Sequence, residues 1–189
     1  MVVGDDFHFG YKGEGDCFTL KGNKAFKTIV IEEMKYLDLK IGTTRIKANL
    51  KDANLEIAKH LLGRNYSIKG RVISGRGIGK RLGYPTANID YMPYFLPKSG
   101  VYLTKVIYNS KEYFGITNVG NKPTYFHLPL TVETFVFNID ETLYNHKIEI
   151  IFVEYIRAEQ KFDSEKELSD QIFRDILYVE AKIKEENHE

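Results

Sequence analysis

The sequence predicts a mainly β protein: a small antiparallel barrel finished by an α-helix, with a shorter segment of mixed character in front. Three observations lead there. From Tyr66 onward, stretches with strand alternation follow one another at near-hairpin spacing without a helical pattern between them. That arrangement favours a closed antiparallel barrel over a parallel sheet. The aromatic content, Tyr 13 and Phe 12 with no Trp, leans toward strands. Helical periodicity of any length returns only after Ser164.

The front segment, residues 1–63, reads as a Gly-rich loop (4–15), a strand (28–34) and two short helices. Thr43 or Thr44 can cap the first helix, because a side-chain oxygen there accepts from the free N–H groups of the first turn. Leu55, Ala58, Leu61 and Leu62 share one face of the second, and Gly63 follows as its C-terminal stop. The second domain, 64–189, begins with a strand at 67–74. Strands at 101–108 and 112–119 are joined by Asn109-Ser-Lys, a hairpin turn. Strands at 132–139 and 147–156 follow, linked through Asp140-Glu-Thr-Leu-Tyr-Asn. Ser164 and Glu167 form a capping box for the final helix. Leu168, Ile172, Ile176, Val179 and Ile183 make its apolar face, and the polar end at 184–189 is expected to fray.

A chain of 189 residues suggests one domain, or one domain and a part. Its net charge of +1 argues against bulk binding to nucleic acid or a membrane surface. Cys17 is the single cysteine, so no intrachain disulfide can form; with no signal-peptide pattern and no membrane-length apolar run, a cytoplasmic location is expected. The histidines (His8, His60, His127, His146, His188) lack Cys, Asp or Glu partners at zinc spacing, and no structural metal is expected. Nor is there a Ser-His-Asp or Cys-His arrangement for nucleophilic catalysis.

The chemistry concentrates in Gly75-Arg-Gly-Ile-Gly-Lys80-Arg-Leu-Gly83-Tyr-Pro85-Thr86-Ala-Asn88. Residues without a Cβ, here Gly75, Gly77 and Gly79, let backbone N–H groups approach phosphate oxygens. Lys80 adds positive charge. Thr86 offers a hydroxyl and Asn88 an amide oxygen to a hard cation such as Mg²⁺. Together they point to a nucleoside triphosphate. The spacing fits neither a Walker A loop nor a dinucleotide fingerprint: Gly79 comes one residue early for both, and no helical pattern follows. A basic loop residue such as Lys80 is as often only solvated.

Gly70-Arg-Val-Ile-Ser-Gly, Gly79-Lys-Arg-Leu-Gly and Tyr84-Pro-Thr-Ala-Asn88 resemble the signature of riboflavin kinases, which transfer the γ-phosphate of ATP to the 5′-hydroxyl of riboflavin. The resemblance continues in order through Gly100-Val-Tyr, Gly115-Ile-Thr-Asn-Val-Gly-Asn-Lys-Pro-Thr124, Val132-Glu-Thr134, Leu143-Tyr144 and the run from Tyr155 to Ser164, covering about residues 62–184. It implies a Greek-key barrel, riboflavin and ATP as substrates, FMN and ADP as products, and Mg²⁺ held with ATP. Strand alternation puts Thr131, Glu133 and Phe135 on one face. By pattern, Glu133 is at a pocket mouth or, the usual fate of a strand glutamate, on a solvated face; the resemblance makes it the general base. The resemblance also makes 121–129 a mobile flap in which Tyr125 and Phe126 line the flavin site or pack against the barrel. Arg157 faces the flavin, or pairs with Glu159 or Asp163 in a turn.

Residues 2–15 and Ile41-Gly-Thr-Thr-Arg-Ile46 resemble the later part of the FMN adenylyltransferase domain that precedes the kinase domain in bacterial FAD synthetases. The His-x-Gly-His phosphate loop of that domain is absent from this chain. The chain is thus expected to be a fragment of a bifunctional protein or the product of a shortened reading frame, and to make no FAD. A partial α/β nucleotidyltransferase segment exposes sheet edges, so residues 1–50 are expected to be loosely held, or covered by a partner or by self-association. Two other readings stay open: the full bifunctional enzyme, and a non-catalytic barrel that binds flavin or nucleotide.

Overall fold

The computed structural model describes residues 1–75, 77–120 and 130–186. They form two compact units, Met1–Arg45 and Ile46–Glu189. The first is built from short pieces. Parallel strands β1 (Val2–Gly4) and β4 (Ile29–Ile31) pair, as do antiparallel β2 (His8–Phe9) with β3 (Gly15–Asp16), and β5 (Lys35–Tyr36) with β6 (Leu39–Lys40). Helix α1 (Cys17–Lys21) is one turn, capped by the Asp16 carboxylate, which accepts from Thr19 N at 2.7 Å. Val3, Cys17 and Leu20 form its small core. Most of these elements are too short for sequence periodicity to reveal. The Gly-rich loop read at 4–15 contains β2, a 3₁₀ turn and the start of β3, and the strand read at 28–34 shrinks to β4.

Helices α2 (Thr43–Lys51) and α3 (Leu55–Leu62) follow. Leu50, Leu55 and Ala58 join the main core, and Gly63 ends α3 in the left-handed conformation, φ 71°. Sequence places the domain division after Gly63; the division by packing falls inside α2.

The second unit is a closed barrel of strands β7 (Ser67–Ile73), β8 (Thr86–Asp90), β9 (Gly100–Tyr108), β10 (Lys111–Gly120), β11 (Thr131–Val136) and β12 (Lys147–Arg157). Around the barrel the order is β10-β11-β8-β7-β12-β9, with every pairing antiparallel. The β9-β10-β11 meander with β8 returned beside β11 is a Greek key. Asn109 and Ser110 turn the β9–β10 hairpin with φ of 49° and 62°, the two left-handed residues a tight hairpin needs. Strand β11 stops three residues earlier than its apolar run because Asn138 takes a left-handed φ of 54°.

Ile68, Tyr102, Val106, Val119, Ile150 and Phe152 fill the barrel, all at most 1% exposed. Burial pushes the Tyr102 phenol above its ordinary pKa, and its hydroxyl donates to the Lys98 carbonyl. Helix α5 (Glu165–Glu186) buries Ile176 and Val179 along the expected stripe. Its capping box is slightly displaced: Ser164 Oγ accepts from Glu167 N at 3.2 Å, while the Glu167 carboxylate accepts from Asp163 N rather than from the cap residue.

Two features of the barrel differ from expectation. Residues 86–90 are a sixth strand, where sequence reads only the end of a loop. Thr, Asn and Asp in five residues, straight after Pro85, conceal the alternation. The segment before it also holds a four-residue helix, α4 (Ile78–Arg81), too short to leave a helical period.

Candidate functional site

Two clefts open on the barrel unit and meet at Thr86 and Phe135, which line both. The larger, about 680 Å³, brings together Gly75, Gly77, Lys80, Thr86 and Asn88. The smaller, about 280 Å³, is lined by Gly79, Thr86, Glu133 and Arg157, with apolar walls that include Ile116, Leu168 and Ile172. The loop from Gly75 therefore separates the clefts. Helix α4 and the residue that ends it put Lys80 on the larger cleft and Ile78 and Leu82 on the smaller.

Close packing explains two of the glycines. A Cβ on Gly75 lies 2.0 Å from Asn88 Nδ2, and one on Gly79 lies 2.3 Å from the Tyr84 carbonyl oxygen. Any side chain at either position drives the loop away from Thr86 and Asn88. The turn is held by Tyr84 N donating to Gly79 O at 2.7 Å and by Arg81 N donating to Gly77 O at 3.1 Å.

Register aligns the carboxylate with the loop. Glu133 on β11 pairs with Asn88 on β8 and, on its other side, with Asn118 on β10. Thr86 pairs with Phe135 one step along. Strand alternation sends Thr86, Asn88, Asn118, Glu133 and Phe135 to the outer face, and buries Val132, Thr134 and Val136 inside. Glu133 is half-buried and lines the smaller cleft. Tyr84 packs edge-on against Phe135, 6.2 Å between centroids, at the junction of the clefts.

Arg157 lines the smaller cleft and is tied from behind by a helix residue. Its Nε and Nη2 donate to Asp175 on α5 at 2.9 and 2.7 Å. Gln171 Nε2 also donates to Asp175, at 2.9 Å. Sequence offered Glu159 or Asp163 as the structural partner; the ion pair is with Asp175, a residue eighteen positions away that no local spacing signals. Asp175→Ala leaves a guanidinium only 18% exposed without its bidentate partner. The expected loss is about 2 kcal/mol, below the usual cost for a fully buried pair because Arg157 still reaches water. A urea titration checks it; an unchanged midpoint contradicts it.

Tyr125, Phe126 and His127 lie outside the described residues. Asn118 is a cleft residue to which sequence reasoning gave no role, although it lies within the Gly115–Thr124 run that carries the resemblance. Among the described residues, no helix is long and apolar enough to cross a membrane.

The riboflavin kinase family model matches residues 62–183. The chain is 42% identical over 188 residues to a bifunctional riboflavin kinase/FMN adenylyltransferase of Buchnera aphidicola subsp. Schizaphis graminum, covering 95% of this chain and 60% of that protein. It is 34% identical over 181 residues to the protein of the same description in Escherichia coli K12, covering 94% and 58%. A solved structure described as a macrolide-efflux protein from Streptococcus pneumoniae superposes with a TM-score of 0.83 at 27% identity, over 95% of this chain and 60% of that one. The chain thus spans about 60% of the length of the curated relatives it matches. With the family model covering the whole barrel and α5 to residue 183, the chain belongs to the riboflavin kinase family.

Proposed function

We propose that this chain phosphorylates riboflavin with ATP, giving FMN and ADP, in the cytoplasm. The observation that carries the reading is the meeting of the two clefts at Thr86, with Glu133 in register with Asn88 beside that junction. A phosphoryl transfer needs a donor and an acceptor in adjoining spaces, in line, with a base at the acceptor hydroxyl. The larger cleft suits the nucleotide: Gly75, Gly77 and Lys80 line it around the phosphates, while Gly79, on the smaller cleft, lets the loop between them close. The smaller suits the flavin, an aromatic ring against Ile116 and Ile172 with its polyol chain toward Glu133. Arg157, and Tyr125 and Phe126 by resemblance, complete the flavin side.

Glu133 takes the proton of the terminal hydroxyl as its oxygen bonds to the γ-phosphorus. The bond from that phosphorus to the β,γ-bridging oxygen breaks, and ADP leaves with the electron pair. Thr86 and Asn88 line the same cleft and carry hard oxygen donors, the type Mg²⁺ prefers, and would hold it. When bound, the cation neutralises charge developing on the phosphate oxygens.

Residues 1–63 are proposed to be the back part of an FMN adenylyltransferase domain. The 189-residue chain contains no His-x-Gly-His loop, so the expected product is FMN without FAD. Incubating the chain with riboflavin, ATP and Mg²⁺, and separately with FMN, ATP and Mg²⁺, then chromatographing the flavins, tests both points. FAD above the no-enzyme background would move the bifunctional reading to first place. No FMN from a folded chain would favour the non-catalytic binding barrel.

A further inference from the structure

Asn118 stands directly opposite Glu133 across the β10–β11 pair, and both line the smaller cleft. Its placement is set by the barrel interior rather than by a loop. The neighbouring Thr117 points inward, where its hydroxyl bonds Thr104 at 2.8 Å and also bonds Thr134. All three threonines are fully buried. A hydroxyl ladder inside a closed core fixes the register of β9, β10 and β11, so Asn118 and Glu133 share one rigid support.

The carboxamide folds toward the end of β10. Its Nδ2 lies 2.9 Å from the position of a Cβ on Gly120, and Glu159 Oε1 lies 1.8 Å from the same point. Asn118 is therefore flanked by Glu133 in register and by Glu159 over Gly120. Carboxylates only accept hydrogen bonds, whereas an amide side chain both donates and accepts without adding charge. That combination suits a chain of secondary hydroxyls, each of which also donates and accepts.

Building on the kinase reading above, we propose that Asn118 positions the acceptor: its carboxamide hydrogen-bonds a secondary hydroxyl of the polyol chain and so holds the terminal hydroxyl at Glu133. The ring is left to the apolar walls of the cleft, and the amide sets how far along the cleft the chain reaches.

The test compares the parent with Asn118→Ala on riboflavin and on analogues that each lack one secondary hydroxyl of the side chain. On riboflavin, kcat/KM should fall about 10- to 100-fold, the usual cost of one hydrogen bond in a desolvated site. On one analogue the two proteins should differ by less than about threefold, because the partner hydroxyl is already gone; on the others the full loss should persist. Asn118→Asp, of nearly the same shape, puts a like charge beside Glu133 and should move the acid limb of the kcat/KM profile to higher pH. This second variant decides the matter if the alanine protein does not fold. An equal loss on every analogue, parent-like turnover of the alanine variant, or an unmoved acid limb overturns the inference. Absence of FMN formation by the parent sinks the kinase reading itself, and the inference with it.

Discussion

Glu133→Gln should lower kcat for FMN formation by about 10²–10⁴, with riboflavin affinity little changed. The loss corresponds to roughly 3–5 kcal/mol of barrier. Glutamine keeps the size and hydrogen-bonding reach of glutamate but cannot take the proton. Glu133 lies on β11 between Asn88 and Asn118, on the outer face of a strand whose inner residues are packed, so the substitution disturbs no core contact. Steady-state kinetics alongside a riboflavin titration separate the two quantities. Turnover within about threefold of the parent would mean that the carboxylate merely lines the cleft.

Thr86→Ala should chiefly impair the use of Mg-ATP. Loss of even an outer partner of a metal site usually costs about 10–100-fold, and a direct oxygen ligand should cost at least that much. Because Thr86 lines both clefts, separate titrations of riboflavin and Mg-ATP are needed. The expected result is a raised KM for Mg-ATP with riboflavin affinity nearly intact. Equal loss on both sides would mean that Thr86 acts by supporting the loop, since its Oγ1 packs 3.2 Å from a Cβ position on Gly79.

The barrel was legible where alternation is strict. Strand β11 reads Thr-Val-Glu-Thr-Phe-Val, and its burial alternates residue by residue as the pattern demands. The β9–β10 turn was legible because Asn109 favours the left-handed conformation it takes. Strand β8 was not, since Asn88 and Asp90 depress strand propensity and the motif's chemistry outweighed its period. At the candidate site, residue types pointed to the loop and Glu133, but not to what holds them. The partner of Arg157 comes from α5, where Asp175 interrupts an otherwise apolar face beside Ile176. Asn118 lies in the Gly115–Thr124 run, but its place opposite Glu133 becomes visible only through strand register. Gly75 and Gly79 read as phosphate-binding residues; the structure adds that their bare backbones let the loop close on Asn88 and Tyr84.

The central claim is that ATP and riboflavin occupy adjoining clefts and exchange a phosphoryl group. Its most direct measurement uses ATP labelled in the γ-phosphate, incubated with riboflavin and this chain, with Mg²⁺ or with excess chelator. Label in FMN at the rate of ADP release, abolished by the chelator, is the predicted result. ADP release with the label in inorganic phosphate, or FMN formed unlabelled, would contradict it.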